Sequence, residues 1–524
     1  MAAEARPPVV EAEGEAPAAA GWDVCPITHA VQCWSDADLA ALAACEDDVL
    51  ECSGSVRDFL ANTCLKRALL PEDMDEVHKG ARGRQKMELL LFYLRKRKAG
   101  FEALLDTLKA QDFWRVARGI EDARERLLLA QFHAATLGGA WANALEGRWL
   151  SPVYKYHEWD GVGVVEGDAG QRLVVSLALP NNGVRRQLPA CLGEYRTLHT
   201  LDLAANELED ELPDELCDCA ALRHLDLSRN SLVGTIPAQL GRCTALRTLR
   251  LFSNALAGAV PPSLGQCTRL TELRLEDNEL GGALPPTLVN LAKLKRLVGY
   301  RNHLVGALPS DIGNCRSLGV LDLFANEIGG PIPPSLGECV RLRQLNLAEN
   351  RLVGGFPAAL GRLRHLERLE LQGNLLTGEL PDALGDCRSL VALDLSHNEF
   401  EGLLPPTLGR LRQVESLKFG HNLLRGGLPR ELARCKELRR LEVCHNTMGG
   451  YVPEELRLCE HLHHLDLSHN EFQGVLPDAI KNMPSLAGQG GAMDMISAFG
   501  RGNDGGYVSK RENWADLEQM RLDM

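Results

Sequence analysis

A chain of 524 residues with 45% hydrophobic content is long enough for two or more domains with real cores. Its formal net charge of −14 argues against nucleic acid or an anionic membrane surface as partner of the whole chain, though a local basic patch is still allowed. No run of about 18 apolar residues occurs, so no segment is expected to span a bilayer.

Residues 1–34 carry acids and prolines where a secretory signal needs a cation and an apolar core, and they read as a disordered leader. Within them, "CPITHAVQC" places Cys25, His29 and Cys33 at four-residue intervals, and Cys45 follows. One helical face would offer the first three to zinc. With no evident fourth ligand, an ordinary helix or tail is the better reading, and no metal site is assigned.

Residues 35–126 follow helical spacing. Val56, Phe59, Leu60, Cys64 and Leu65 form one amphipathic stretch. Met87, Leu90, Leu91 and Leu94 form the next, followed by Phe101, Leu104, Leu105 and Leu108, then Phe113, Val116, Ala117 and Ile120. Breaks at Ala99-Gly100 and Gln111-Asp112 suggest about six short helices, enough for an antiparallel bundle. The stretches "ALLPEDMDEV", "GRQKMELLLFYLRKRKAG", "FEALLDTLKAQ" and "DFWRVARGIED" resemble helices three to six of a caspase recruitment domain, in the death-fold superfamily. The resemblance implies homotypic docking of an acidic face on a basic one. Glu72, Asp73, Asp75 and Glu76 would supply the acids, and Arg82, Arg84, Lys86, Arg95, Lys96, Arg97 and Lys98 the cations. The same charges also suit a plain solvated helix, since acids favour helix starts and cations helix ends.

Residues 127–172 contain "ATLGGAW" and "WDGV", with Trp141, Trp149 and Trp159. This resembles the N-terminal cap of plant-type and protist leucine-rich-repeat proteins, and the tryptophans are expected to cover the first strand. In secreted members cysteines flank the second element and form a disulfide. Here His157 and Val164 stand in those places.

Residues 173–486 repeat every 24 residues without insertion or deletion. Asn182 opens a series continued by Asn206, Asn230, Asn254, Asn278, Asn302, Asn326, Asn350, Asn374, Asn398, Asn422, Asn446 and Asn470. Pro follows seven residues after each, from Pro189 to Pro477, and Gly four after each from Gly234 to Gly474, where Arg186 and Asp210 are the early exceptions. Units such as "LRHLDLSRNSLVGTIPAQLGRC" resemble plant-type leucine-rich repeats. In "LxxLxL" the alternating leucines predict a short strand with one inward face. The Asn amide can satisfy backbone groups at the bend, so stacked repeats form an Asn ladder. Thirteen strands would extend about 60 Å, and no repeat can bury its leucines alone. Gly299 replaces a strand leucine and predicts a local weakness.

Three columns on the predicted concave face draw attention as protein-binding candidates. Phe252, Tyr300 and Phe324 line one, with Arg250, Arg274, Arg296 and Arg301 beside them, a mixture that suits partner hot spots. Asp322, Glu370, Asp394, Glu442 and Asp466 make the inner face acidic, which favours a basic partner. His397, His421, His445 and His469 occupy one position in four successive repeats, where a pH response is a better reading than a metal site.

Of the 16 cysteines, Cys219, Cys243, Cys267, Cys315, Cys339, Cys387, Cys435 and Cys459 lie at multiples of 24, and Leu291, Leu363 and Leu411 fill the skipped registers. Alternation of Cys with Leu marks a buried apolar slot and not a disulfide framework. No Asn-x-Ser/Thr acceptor occurs either. Both features predict a reducing, cytoplasmic setting. Residues 487–524 read as a flexible tail with a short helix near Trp514 and Leu517.

The expected fold is therefore multidomain: an all-α, six-helix death-fold-like bundle, then an α/β leucine-rich-repeat solenoid with parallel strands on its concave face. The expected function is an intracellular protein-binding adaptor or recognition protein, its solenoid holding an unidentified partner and its helical domain making homotypic death-fold interactions in immune or apoptosis-type signalling. The alternative is a passive leucine-rich-repeat scaffold with an enlarged helical cap. No catalytic constellation and no cofactor site is legible.

Overall fold

The computed structural model describes residues 100–110, 114–136, 141, 149–150, 155–167, 170 and 172–487. The polypeptide divides into two compact units at Arg124/Glu125. In the first unit the described residues form helix α1 (Gly100–Ala110) and the start of helix α2 (Trp114–Ala135). Leu104, Leu105, Leu108, Ala117 and Ile120 are buried, as the apolar spacing predicts. Lys109 and Glu121 join the two helices at 2.8 Å. The division falls inside α2, which runs unbroken past residue 126. The four helices expected before residue 100 lie outside the described residues, and so do Glu72, Asp73, Asp75, Glu76, Arg82, Arg84, Lys86, Arg95, Lys96, Arg97 and Lys98.

The second unit is the solenoid. Its entrance is an antiparallel pair, β1 (Val162–Glu166) and β2 (Arg172–Ala178), with an irregularity at Gly163/Val164. From β2 onward thirteen strands run parallel in one sheet, each a 24-residue step from the last; Ser176 faces Thr200, and the series closes at His464–Asp466. Each later strand is only three residues long, with its central leucine buried and its flanking residues at least partly exposed, except at Val298, Asp322 and Asn346, which are buried as well. That is the period-2 pattern the leucines predict.

After each Asn the backbone turns through the register that usually holds Gly. All eleven glycines from Gly234 to Gly474 there have positive φ, between 70° and 81°. Arg186 (φ 64°) and Asp210 (φ 63°) hold the same left-handed backbone, so the register demands a conformation that glycine adopts at least cost. Short strands around this turn form further parallel ladders, such as Ala257–Ala259, Glu279–Ala283 and His303–Val305. The proline then caps a 3-10 helix, for example Pro237 before Ala238–Arg242 (φ −59°).

Cysteines fill a continuous slot behind these helices. The eight at the 24-residue register are free and buried. Most reach a carbonyl of the preceding repeat: Cys219 Sγ lies 3.0 Å from Leu192 O and Cys387 Sγ 3.3 Å from Leu360 O. Burial pushes both thiols up to about 12, which leaves them inert. At the sixth repeat Gly299 does not interrupt the stack. Leu323 Cδ2 comes within 3.3 Å of where a Cβ would sit, and the Gly299 carbonyl still takes part in the ladder.

The solenoid's first strands are covered from within its own unit. Glu125 Oε2 accepts from Val174 N–H (3.3 Å), and Thr136 O accepts from Arg185 N–H (3.2 Å). Trp141, Trp149 and Trp159 are buried in a series of ring contacts with centroids 5.0 Å apart at each step. In the cap His157 meets Arg172 at 3.3 Å and Val164 pairs with Val174 in the sheet.

Candidate functional site on the strand face

The Asn ladder sets the geometry of the outward face. Asn326 is representative. Its Nδ2 donates to Gly299 O of the preceding repeat (3.0 Å) and to Leu323 O (3.1 Å) and Phe324 O (3.2 Å) of its own, while its Oδ1 accepts from Leu304 N–H (3.0 Å). The same pattern runs from Asn206 (to Leu179 and Leu203) through Asn278 and Asn350 to Asn470 (to Val443 and Leu467). At the N-terminal end Asn182 Oδ1 is buried without a donor among the described residues, because no repeat precedes it. The residue before each Asn adopts positive φ, between 50° and 56° wherever it is not Gly. Side chains just before each Asn are thereby held in columns one strand apart, about 4.8 Å.

The aromatic–arginine columns do come together. The Arg274 guanidinium lies 4.1 Å from the Phe252 ring centroid and bonds Glu276 through Nε at 2.7 Å. Glu276 is fully buried; burial raises its carboxyl pKa, against the pull of Arg274. Tyr300 and Phe324 continue the Phe252 register and are half-buried. Burial, then Asp277 and Glu276, push the Tyr300 phenol up. Arg301 lies 3.6 Å from Asp277, and Arg296 is exposed beside Glu272 and Val320. Arg250 is locked on both sides, to Asp226 at 3.2 Å and to Glu272 at 3.1 Å.

The acidic column is less acidic than its composition suggests. Asp394 pairs with Lys418 at 3.3 Å. Glu442 meets Arg440 at 3.0 Å and His464 at 3.1 Å. Burial would raise the Glu442 pKa, but the His464 hydrogen bond and nearby cations hold it below its ordinary value. Glu370 stands in register between Asn346 and Asp394. These internal pairings were invisible in the sequence, where only one column at a time is apparent.

His397, His421, His445 and His469 form a stack with centroids 4.1, 4.2 and 3.9 Å apart and planes within 15°. Parallel rings direct their lone pairs side by side, not toward one point. Among the described residues no group of three or more His, Cys, Asp or Glu is placed to hold a metal ion. Burial, then His397 and His445, push His421 down to about 4, and His445 is lowered for similar reasons. The unfolded protein takes up these protons near 6.5, so stability is complete above that pH and is lost as pH falls from 6.5 toward 4. Solvent screening at this exposed site limits the loss from His421 to about 1 kcal/mol. His421→Asn, which suits the left-handed backbone, is expected to flatten the Tm-against-pH profile across that window. An unchanged profile would show that the stack does not govern it.

No helix of the described residues is long and apolar enough to cross a membrane. The family model for leucine-rich repeats matches residues 196–256 and 340–400, and a second model of the same repeat matches 269–291 and 461–483. Among curated proteins no match is found. The plant peptide hormone receptor RGFR1, solved in complex with RGF2, is 32% identical with a TM-score of 0.54, over 59% of this chain and 53% of that one. PEPR1 bound to AtPEP1 is 34% identical (TM-score 0.52), over 59% and 47%. The Arabidopsis receptor kinase HAESA, with the peptide hormone IDA and the co-receptor SERK1, is 28% identical (TM-score 0.52), over 59% and 55%. The protein thus spans about half the length of each of these structures. Repeat period, parallel stack and similarity agree: this protein has leucine-rich repeats of the plant receptor-like type, built as an α/β solenoid.

Proposed function

We propose that this is a recognition protein whose strand face binds a peptide or a protein segment. The observation that carries the reading is the set of half-buried aromatics, Phe252, Tyr300 and Phe324, in one register that Glu276 interrupts, with Arg274 stacked on Phe252. Rigid aromatic and arginine side chains on a backbone fixed by the Asn ladder lose little freedom on binding, which is what hot spots require. RGFR1 is a peptide hormone receptor solved in complex with RGF2, and HAESA is solved with the peptide hormone IDA, which supports the same class of partner here. This keeps the repeat-based recognition part of the expected function and, like the scaffold alternative, makes no use of a homotypic adaptor role, which depends on residues 38–126, of which the structure describes only α1 and the start of α2.

The test is selection of binders from a random dodecapeptide library on the full-length protein, followed by affinity measurement on Phe252→Ala and Phe324→Ala. Each substitution is expected to cost about 2 kcal/mol of binding, or roughly thirtyfold in Kd. Binders that ignore both substitutions would place the binding surface elsewhere.

A further inference from the structure

Two side-chain amides on the strand face have an unused end. Asn346 closes the strand Gln344–Asn346 and is fully buried. Its Oδ1 accepts from Ala348 N–H at 3.2 Å, which fixes the orientation of the amide, and its Nδ2 is buried with no acceptor. Gln372, in the next repeat, has Oε1 buried with no donor. The register pairs Asn346 with Glu370, so Gln372 is its diagonal neighbour two residues along, with Cα atoms about 8 Å apart by sheet geometry.

Comparison between repeats shows that this is unusual. At the Asn346 register, Asp226 and Asp394 make the same local contact, to Ser228 and Ser396. Their second oxygens then find partners in Arg250 (3.2 Å) and Lys418 (3.3 Å). Asn346 keeps the local contact, but its other end has no partner among the described residues. A buried donor and a buried acceptor without partners are destabilising, and native proteins leave few of them. Here one of each stands in two successive repeats, between those that carry Phe324 and His397.

We propose that Asn346 and Gln372 form a subsite that reads a peptide unit. When an extended peptide lies along the strand face, one of its backbone carbonyls accepts from Asn346 Nδ2, and one of its backbone amides donates to Gln372 Oε1. Gln372 is half-buried on a long side chain, so its rotation admits the peptide. The contact fixes the register of the ligand and leaves the choice of its side chains to the aromatic and histidine columns. This rests on the reading that the strand face binds peptides.

The experiment uses the full-length protein and a dodecapeptide selected on it from the random library. Asn346→Leu and Gln372→Leu are each expected to raise Kd about tenfold. In the absence of peptide Gln372→Leu should keep or raise Tm, because leucine removes an unpartnered polar atom, whereas Asn346→Leu also removes the acceptor of buried Ala348 N–H and should lower Tm by a few degrees. N-methylating the critical peptide unit should weaken binding to the wild type but not further weaken binding to Gln372→Leu. If Kd is unchanged in both variants while the peptide still depends on Phe324, the subsite is overturned and the binding face stands. A fall in Tm of several degrees in free Gln372→Leu would assign the pair a structural role and equally overturn it. A peptide indifferent to Phe324 as well contradicts the underlying reading, and the subsite with it.

Discussion

Asn326→Ala is expected to destabilise the solenoid by about 2–4 kcal/mol, whereas Asn182→Ala should cost no more than about 1 kcal/mol. Both side chains are buried and chemically identical, so the difference comes from the ladder alone. Removal of Asn326 leaves Gly299 O with a second donor, Asn302 Nδ2 at 3.2 Å, so that carbonyl is not orphaned. Leu304 N–H has no such substitute and becomes a buried, unpaired donor. Asn182 makes one side-chain donation, to Pro180 O at 2.8 Å, and its Oδ1 accepts nothing. Urea midpoints of the two variants give the comparison. Equal losses would mean that the Asn side chains matter for local turns and not for coupling between repeats.

Trp159→Ala should produce a loss of similar or larger size, about 3–5 kcal/mol, but confined to one end. Trp159 is 2% exposed, and its ring contacts lead through Trp149 to Trp141 and on to Phe132. The backbone beside it is equally committed: Gly161 O accepts from Ala178 N–H at 2.8 Å, at the end of β2. A solenoid transmits stability between neighbours only, so a damaged end should fray locally. Hydrogen exchange is expected to accelerate in β2 and at Thr200–Asp202, and to stay unchanged at His464–Asp466. Uniform acceleration along the repeats would mean that the unit unfolds as one cooperative block.

Much of the solenoid could be read in advance, because its signals are strictly periodic. The Asn, Pro and Leu registers predicted the parallel strands and the ladder, and the Cys–Leu alternation predicted a buried slot that holds free thiols. The three cap tryptophans were legible as a cluster. What escaped the sequence are relations between repeats. The lateral strands are two to five residues long and glycine-rich, too short for periodicity to register. The left-handed backbone before each Asn accepts Ala, Arg, Ser, Asp, Glu and His, so composition does not reveal it. The arginines read as free hot spots include Arg250, which the structure ties to two acids. Likewise Asn346 and Gln372 look unremarkable until their unpartnered ends are seen. The charge-segregated segment 71–98 lies outside the described residues, and the binding assignment concerns the repeats.

Hydrogen exchange of the full-length protein, with and without a library-selected dodecapeptide, tests the central claim most directly. The account predicts protection along the strand face, at Thr248–Arg250, Glu272–Arg274, Arg296–Val298 and Val320–Asp322 and in the residues that follow each strand, with no change in the 3-10 helices Pro262–Gln266 and Pro286–Asn290. Protection centred on those helices, with the strand face unaltered, would contradict it.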